Sequence, residues 1–254
     1  MRLIHPVLVH GMRTNALAVA LGMLVVGSSA LLLMAFLPAD RPAALALLGL
    51  SAALGIGVGS TMVWREATAG RRRRSEIGDD IARLLALAFD DSYTLVLAPR
   101  LPGVPADLAA LLVGPAGVRA LVARRWRGRY RVRGRGWELD TRSGAGWIPT
   151  LTNPSFDADA VAGAVARWCR AAIDDPSVAI TPAIAFPRPY SSVVLEEPVG
   201  EIVTTDNAPW WAQSIGRVQR LDAHRAARFV EAVLSASEAE AMAASPSSPA
   251  PRVA

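Results

Sequence analysis

Ala106-Asp-Leu-Ala-Ala-Leu-Leu-Val-Gly-Pro-Ala-Gly-Val-Arg-Ala-Leu-Val-Ala-Arg-Arg-Trp126 is the stretch whose reading decides the fold. Two apolar runs, Leu108–Val113 and Val118–Ala123, flank Gly114-Pro115-Ala116-Gly117, and only Arg119 interrupts the second. Apolar runs of strand length around a Gly-Pro turn predict two adjacent strands, antiparallel to one another. Neither run alternates cleanly, so both faces of the hairpin are expected to be covered.

Outward from the hairpin, the flanking segments predict a mixed α/β domain over 75–235. Ser75 is a plausible N-cap for a helix whose apolar face is Ile77, Ile81, Leu84, Leu85 and Ala88, with Asp79, Asp80 and Arg83 off that face. Tyr93–Ala98 reads as a strand. After the hairpin, every second residue from Arg125 to Arg135 is Arg, with Trp126, Gly128, Tyr130, Val132 and Gly134 between them. Period-two alternation predicts six Arg (Arg125, Arg127, Arg129, Arg131, Arg133 and Arg135) on one strand face. Such a comb suits plain solvation of an edge strand, docking on anionic lipid, or contact with nucleic-acid phosphates and bases.

Trp137–Ile148 predicts a further short strand and turn. Asn153-Pro154 opens a helix to about Ala172, Asn as cap and Pro at the first helical position. Val178–Phe186 and Ile202–Thr204 read as strands, Pro182 within the first marking an edge or a bulge. Asp222 is expected to cap a last helix. Residues 236–254 are expected to hold the end of that helix and, from Ser245, a tail rich in Ala, Ser and Pro that lacks structure.

Before this domain the chain is apolar. Residues 16–37 and 43–64 are each free of charge and match the length of about 20 residues that crosses a hydrocarbon core. The short link between them implies a helical hairpin. Arg2 and Arg13 before it, and Arg65 and Arg71–Arg74 after it, place both termini in the cytoplasm by the positive-inside rule. The expected organisation is a cytoplasmic segment over 1–15, the hairpin over 16–64, an Arg-rich linker over 65–74 and the domain. The expected location is the inner membrane, with membrane lipid as a partner. Ser51, Gly55 and Gly59 put small residues on one helix face, suited to packing within the hairpin or to a homo-oligomer. A further protein partner is left open.

Composition narrows the chemistry. The 254 residues hold 27 basic side chains and no Lys, so no lysine base or Schiff base exists. Cys169 is the only cysteine, which excludes an internal disulfide and a Cys-based metal cluster.

The domain resembles the NERD (nuclease-related) family. The resemblance rests on Gly78-Asp79 opening the first helix where the family has Gly-Glu, and on Leu-Leu-Val-Gly-Pro-Ala-Gly-Val118. Arg-Arg-Trp-Arg-Gly128 and the Asn153-Pro154 helix start followed by an apolar strand complete it. It implies a restriction-endonuclease-like fold, preceded here by the transmembrane hairpin. It also implies an active site with Asp on the first hairpin strand and Glu-x-Lys on the second. In such a site two carboxylates hold Mg²⁺, which activates water, and the Lys positions that water. Counted from the turn, the Asp falls on Ala109 and Glu-x-Lys on Val122-Ala123-Arg124.

With both carboxylates absent, the expectation is a domain that has lost catalysis and serves as a binding or scaffold module without a cofactor. Two alternatives accompany it. One is a Mg²⁺-dependent nuclease with an acidic site rebuilt from Asp79, Asp107 and Glu138, Asp140 lying on the same strand side as Glu138. The other is a subunit of an inner-membrane complex.

Overall fold

The computed structural model describes residues 1–5, 76–141, 146–173, 175, 178–188, 191–217 and 220–243. The chain divides into two units, Met1–Leu8 with Arg74–Glu240 and Val9–Arg73 with Ala241–Ala254. The architecture below is that of the first. The predicted spans 16–37 and 43–64, the linker 65–74, the small-residue face of Ser51, Gly55 and Gly59, and the tail from 244 lie outside the described residues.

The hairpin forms where its residues place it. β3 (Leu108–Gly114) and β4 (Gly117–Ala123) pair antiparallel, Gly114 opposite Gly117 across the Pro115-Ala116 turn. The two glycines serve different ends. Gly117 sits at φ +100°, a left-handed conformation that a Cβ penalises. Gly114 makes room, because a Cβ there would lie 2.1 Å from Tyr93 Cδ1.

Around the hairpin a six-stranded sheet is ordered β1-β2-β3-β4-β8-β10. β2 (Thr94–Leu97) is antiparallel to β3, and β8 (Ile180–Phe186) is parallel to β4. The edges are β1 (Arg2–Ile4), parallel to β2, and β10 (Glu201–Thr204), parallel to β8. All strands except β3 therefore point the same way, and their C-terminal ends share one edge with the start of β3. Pro182 is accommodated because β10 pairs with β8 only from Ala183 onward, so no neighbour on that side asks for its missing N–H.

Four helices are present among the described residues: α1 (76–85), α2 (Pro154–Ile173), α3 (Ala208–Gly216) and α4 (Ala223–Ala243). They explain why neither hairpin strand alternates. Val113, Val118, Val122, Val165 and Phe229 share one core with α2 and α4. Leu95, Leu112, Leu121, Ile81 and Trp211 share a second, with α1 and α3 on the opposite face of the sheet. The Asn153 cap is formed, its Oδ1 accepting from Ser155 N at 3.0 Å.

A smaller sheet is ordered β7-β6-β5-β9. It contains β5 (Gly128–Gly134), β6 (Gly136–Asp140), β7 (Trp147–Pro149) and β9 (Ser191–Pro198). Its buried face carries Tyr130, Val132 and Trp137. β5 is an interior strand of this sheet, flanked by β6 and β9, not the edge strand expected.

The mixed α/β class stands. The expected multi-pass location in the inner membrane does not: no helix among the described residues is long and apolar enough to cross a membrane. The two with sufficient length are charged. α2 carries Asp157, Asp159, Arg167 and Arg170, and α4 carries Glu231, Glu238 and Glu240. At the start of the chain Arg2–Ile4 forms the edge strand of the main sheet.

Candidate functional site

The sheet edge where β1, β2, β4, β8 and β10 end gathers Ala109, the end of β4 and the side chains that follow it. Ala109 lies there, as the extra residue of a bulge: Leu108 opposes Val122 and Ala110 opposes Leu121, leaving Ala109 between them. Its carbonyl accepts from Ala98 N at 2.8 Å, and Ala98 is held at φ +45°.

The bulge changes which residues share a side. Ala109 and Ala123 pack toward the core beneath α1, whereas Val122 faces the core beneath α2. Alternation continues past the strand end. Arg124 turns to the α2 side and pairs with Asp157. Arg125 turns to the α1 side and pairs with Asp80 at 2.7 Å and Glu76 at 3.2 Å. The structure thus brings Ala109, Ala123 and Arg125 to one side, and leaves Val122 and Arg124 on the other.

Asp80 is the carboxylate at this place. It is 4% exposed. Arg125 Nη2 and Arg188 Nε donate to its Oδ2 at 2.7 and 2.6 Å, and Arg83 donates to Oδ1. Glu76, one turn earlier on α1, meets Arg125 and, at 3.8 Å, Arg188. Burial alone would push the Asp80 carboxyl up. The hydrogen bonds from Arg188 and Arg125, with their charges, outweigh burial and hold the group below its ordinary range. Arg125 Nε is itself buried and has no hydrogen-bond partner among the described residues.

The acids flagged from the sequence do not gather. Asp79 points outward from α1, Asp107 is exposed in the approach to β3, and Glu138 is on β6 of the smaller sheet. Glu138 is engaged by Arg131 there. Mg²⁺ does not fit what is present. The bulge and the neighbouring strand offer Ala109 and Ala123, and Asp80 has its oxygens filled by guanidinium donors. Among the described residues no three His, Cys, Asp or Glu side chains group to hold a metal ion.

Asp80 was legible in principle. Ile77, Asp80, Ile81 and Leu84 stand at i, i+3, i+4 and i+7, so Asp80 lies on the apolar stripe, not off it. An acid on a buried stripe needs a partner.

The Arg comb is divided. Arg129, Arg131 and Arg133 share the outer face of β5, but Arg125 and Arg127 precede the strand and Arg135 sits in the turn after it. Each outer-face Arg meets a carboxylate of a neighbouring strand: Arg129 with Asp140 at 3.7 Å, Arg131 with Glu138, and Arg133 with Glu196 at 2.8 Å. Arg135 reaches Asp159 of α2 at 3.1 Å. Trp147 stacks under two of the guanidiniums, 5.5 Å from Arg129 and 4.7 Å from Arg131. This face is compensated, unlike the free cationic stripe that phosphate binding favours.

No family model matches the chain, and no match is found among curated proteins or solved structures.

Proposed function

We propose that the domain is a nuclease-like module of the NERD kind, restriction-endonuclease-like in fold, that has lost catalysis and serves as a binding or scaffold unit. Support for the fold comes from the order of elements. A helix with Gly78 in its first turn, the Gly-Pro-Ala-Gly hairpin, an Asn-Pro helix and an apolar strand parallel to the second hairpin strand follow one another. The observation that carries the loss of catalysis is the exchange at the sheet edge. Ala109 stands at the first carboxylate position, neither Val122 nor its neighbour Ala123 supplies the second, and the acid that remains, Asp80, has one oxygen held by Arg125 and Arg188 and the other by Arg83.

A two-carboxylate metal site works by lowering the pKa of bound water and by neutralising the leaving oxyanion. The three guanidiniums on Asp80 supply neither, because Arg stays protonated at working pH and cannot serve as a base. The full-length protein is therefore expected to leave single- and double-stranded DNA and RNA intact in Mg²⁺ or Mn²⁺. Cleavage that a chelator abolishes, and that disappears in Asp107→Ala or Asp80→Asn, would establish the relocated-site nuclease instead.

A further inference from the structure

A groove of about 560 Å³ lies on the other core face, away from the arginine-filled edge, between edge strand β1 and one flank of α4. Its volume is in the range of small-ligand sites. Its floor is aliphatic, built from Ile4, Val113, Leu221, Val230 and Leu234. Ala223 and Ala227 continue the helix stripe of Val230 and Leu234 at i, i+4, i+7 and i+11, and their small side chains keep the groove open. From Ala223 to Glu238 the stripe is about 22 Å long, at 1.5 Å per residue.

The charges are unevenly spread. Glu231 and Glu238, two turns apart on the α4 flank, line the groove and form no ion pair among the described residues. Among the described residues Arg2, on the β1 wall, is the one lining cation, and it too forms no ion pair there. Asp91 also lines the groove, and it already seats an ammonium, that of Met1, at 2.9 Å. The groove thus joins an elongated apolar floor to two carboxylates that have no ion-pair partner among the described residues.

We propose that this groove binds an elongated amphipathic organic cation, an amine or guanidine on an aliphatic or aromatic body. The body lies along Val113, Leu221 and Val230, and the cation meets Glu231 and Glu238. The site is independent of the nuclease-like edge and stands whether or not that edge is catalytic.

A series matched in chain length tests it: decylammonium, decanol and decanoate, each below its micellar concentration, titrated into the full-length protein by calorimetry. Decylammonium is expected to bind about tenfold tighter than decanol, as one or two partly exposed charge pairs allow, and decanoate weaker than both. In Glu231→Gln/Glu238→Gln the preference for the amine should fall to within about threefold of decanol, the affinity for decanol itself unchanged. Ala227→Trp, a substitution on the open side of the helix, should weaken all three by filling the floor. Equal binding of decylammonium and decanoate, no binding of decylammonium, or affinities indifferent to Ala227→Trp would each overturn the proposal. The fold of each variant is checked by its melting transition, so a loss from unfolding is seen as such.

Discussion

Gly114→Ala will cost about 3 kcal/mol, a fall in Tm of about 6–12 °C for a unit of this size. The new Cβ would sit 2.1 Å from Tyr93 Cδ1 and 2.7 Å from Cγ, close to the root of the ring, so no flexible tip can yield. Nor can the ring swing aside. Tyr93 is buried against Phe89 at 4.7 Å between centroids, and Phe89 rests edge-on against Trp211 at 5.7 Å. Strain at one turn is thus passed into the α1 and α3 side of the core. The double variant Gly114→Ala/Tyr93→Leu should recover at least about half of that loss relative to the Tyr93→Leu parent, since contacting residues are not additive. Equal losses in both backgrounds, read from thermal or urea unfolding, would show that the ring contact is not the cause.

Asp80→Ala will cost about 3 kcal/mol, the bottom of the range for breaking a buried pair, because its Arg partners keep some solvent. Arg125 and Arg188 then lose the carboxylate they share, and the more exposed Glu76 is in reach of both. The pH dependence has a definite sign. The folded-state carboxyl lies below its ordinary value, so its contribution is fully present above the unfolded-state pKa and is lost as pH falls through the folded one. Asp80→Asn is therefore expected to be less stable than the parent at pH 7 and to lose less between pH 5 and pH 3. Parallel acid limbs in parent and variant would remove Asp80 from the account.

The hairpin was legible because its punctuation and its apolar content agree. Gly-Pro-Ala-Gly can only turn, and seven-residue strands on either side follow. α2 was legible from its Asn-Pro start and helical stripe. β9 was not: Ser-Ser, Glu-Glu and Pro surround its three aliphatic residues, and its place is set by parallel pairing with the distant β5. α3 was hidden by length and by Pro209-Trp-Trp, a nine-residue segment whose helicity comes from burying Trp211 and Ile215. β1 lay beyond local patterning altogether, since three residues become a strand only by pairing with β2.

At the candidate site the limit was one of sides. A strand covered on both faces carries no polar alternation, so counting along β4 could not say that Val122 and Arg124 face α2 while Ala123 and Arg125 face α1. The bulge at Ala109 adds a further residue to the count. On α1 the Gly78-Asp79 match drew attention to an exposed acid, while Asp80, the next residue, is the one directed inward. The Arg comb misled by composition. Its spacing is real on β5, but the carboxylates that neutralise it come from β6, β9 and α2, up to 63 residues away.

Guanidinium groups hold both oxygens of Asp80, the ones a divalent cation would need. Titration of Mn²⁺ into the full-length protein, with free ion followed by electron paramagnetic resonance, tests this most directly. The account predicts no saturable site up to about 1 mM, the affinity range of poorly furnished oxygen sites. Uptake of one Mn²⁺ per chain at micromolar concentration, lost in Asp80→Asn, would contradict it.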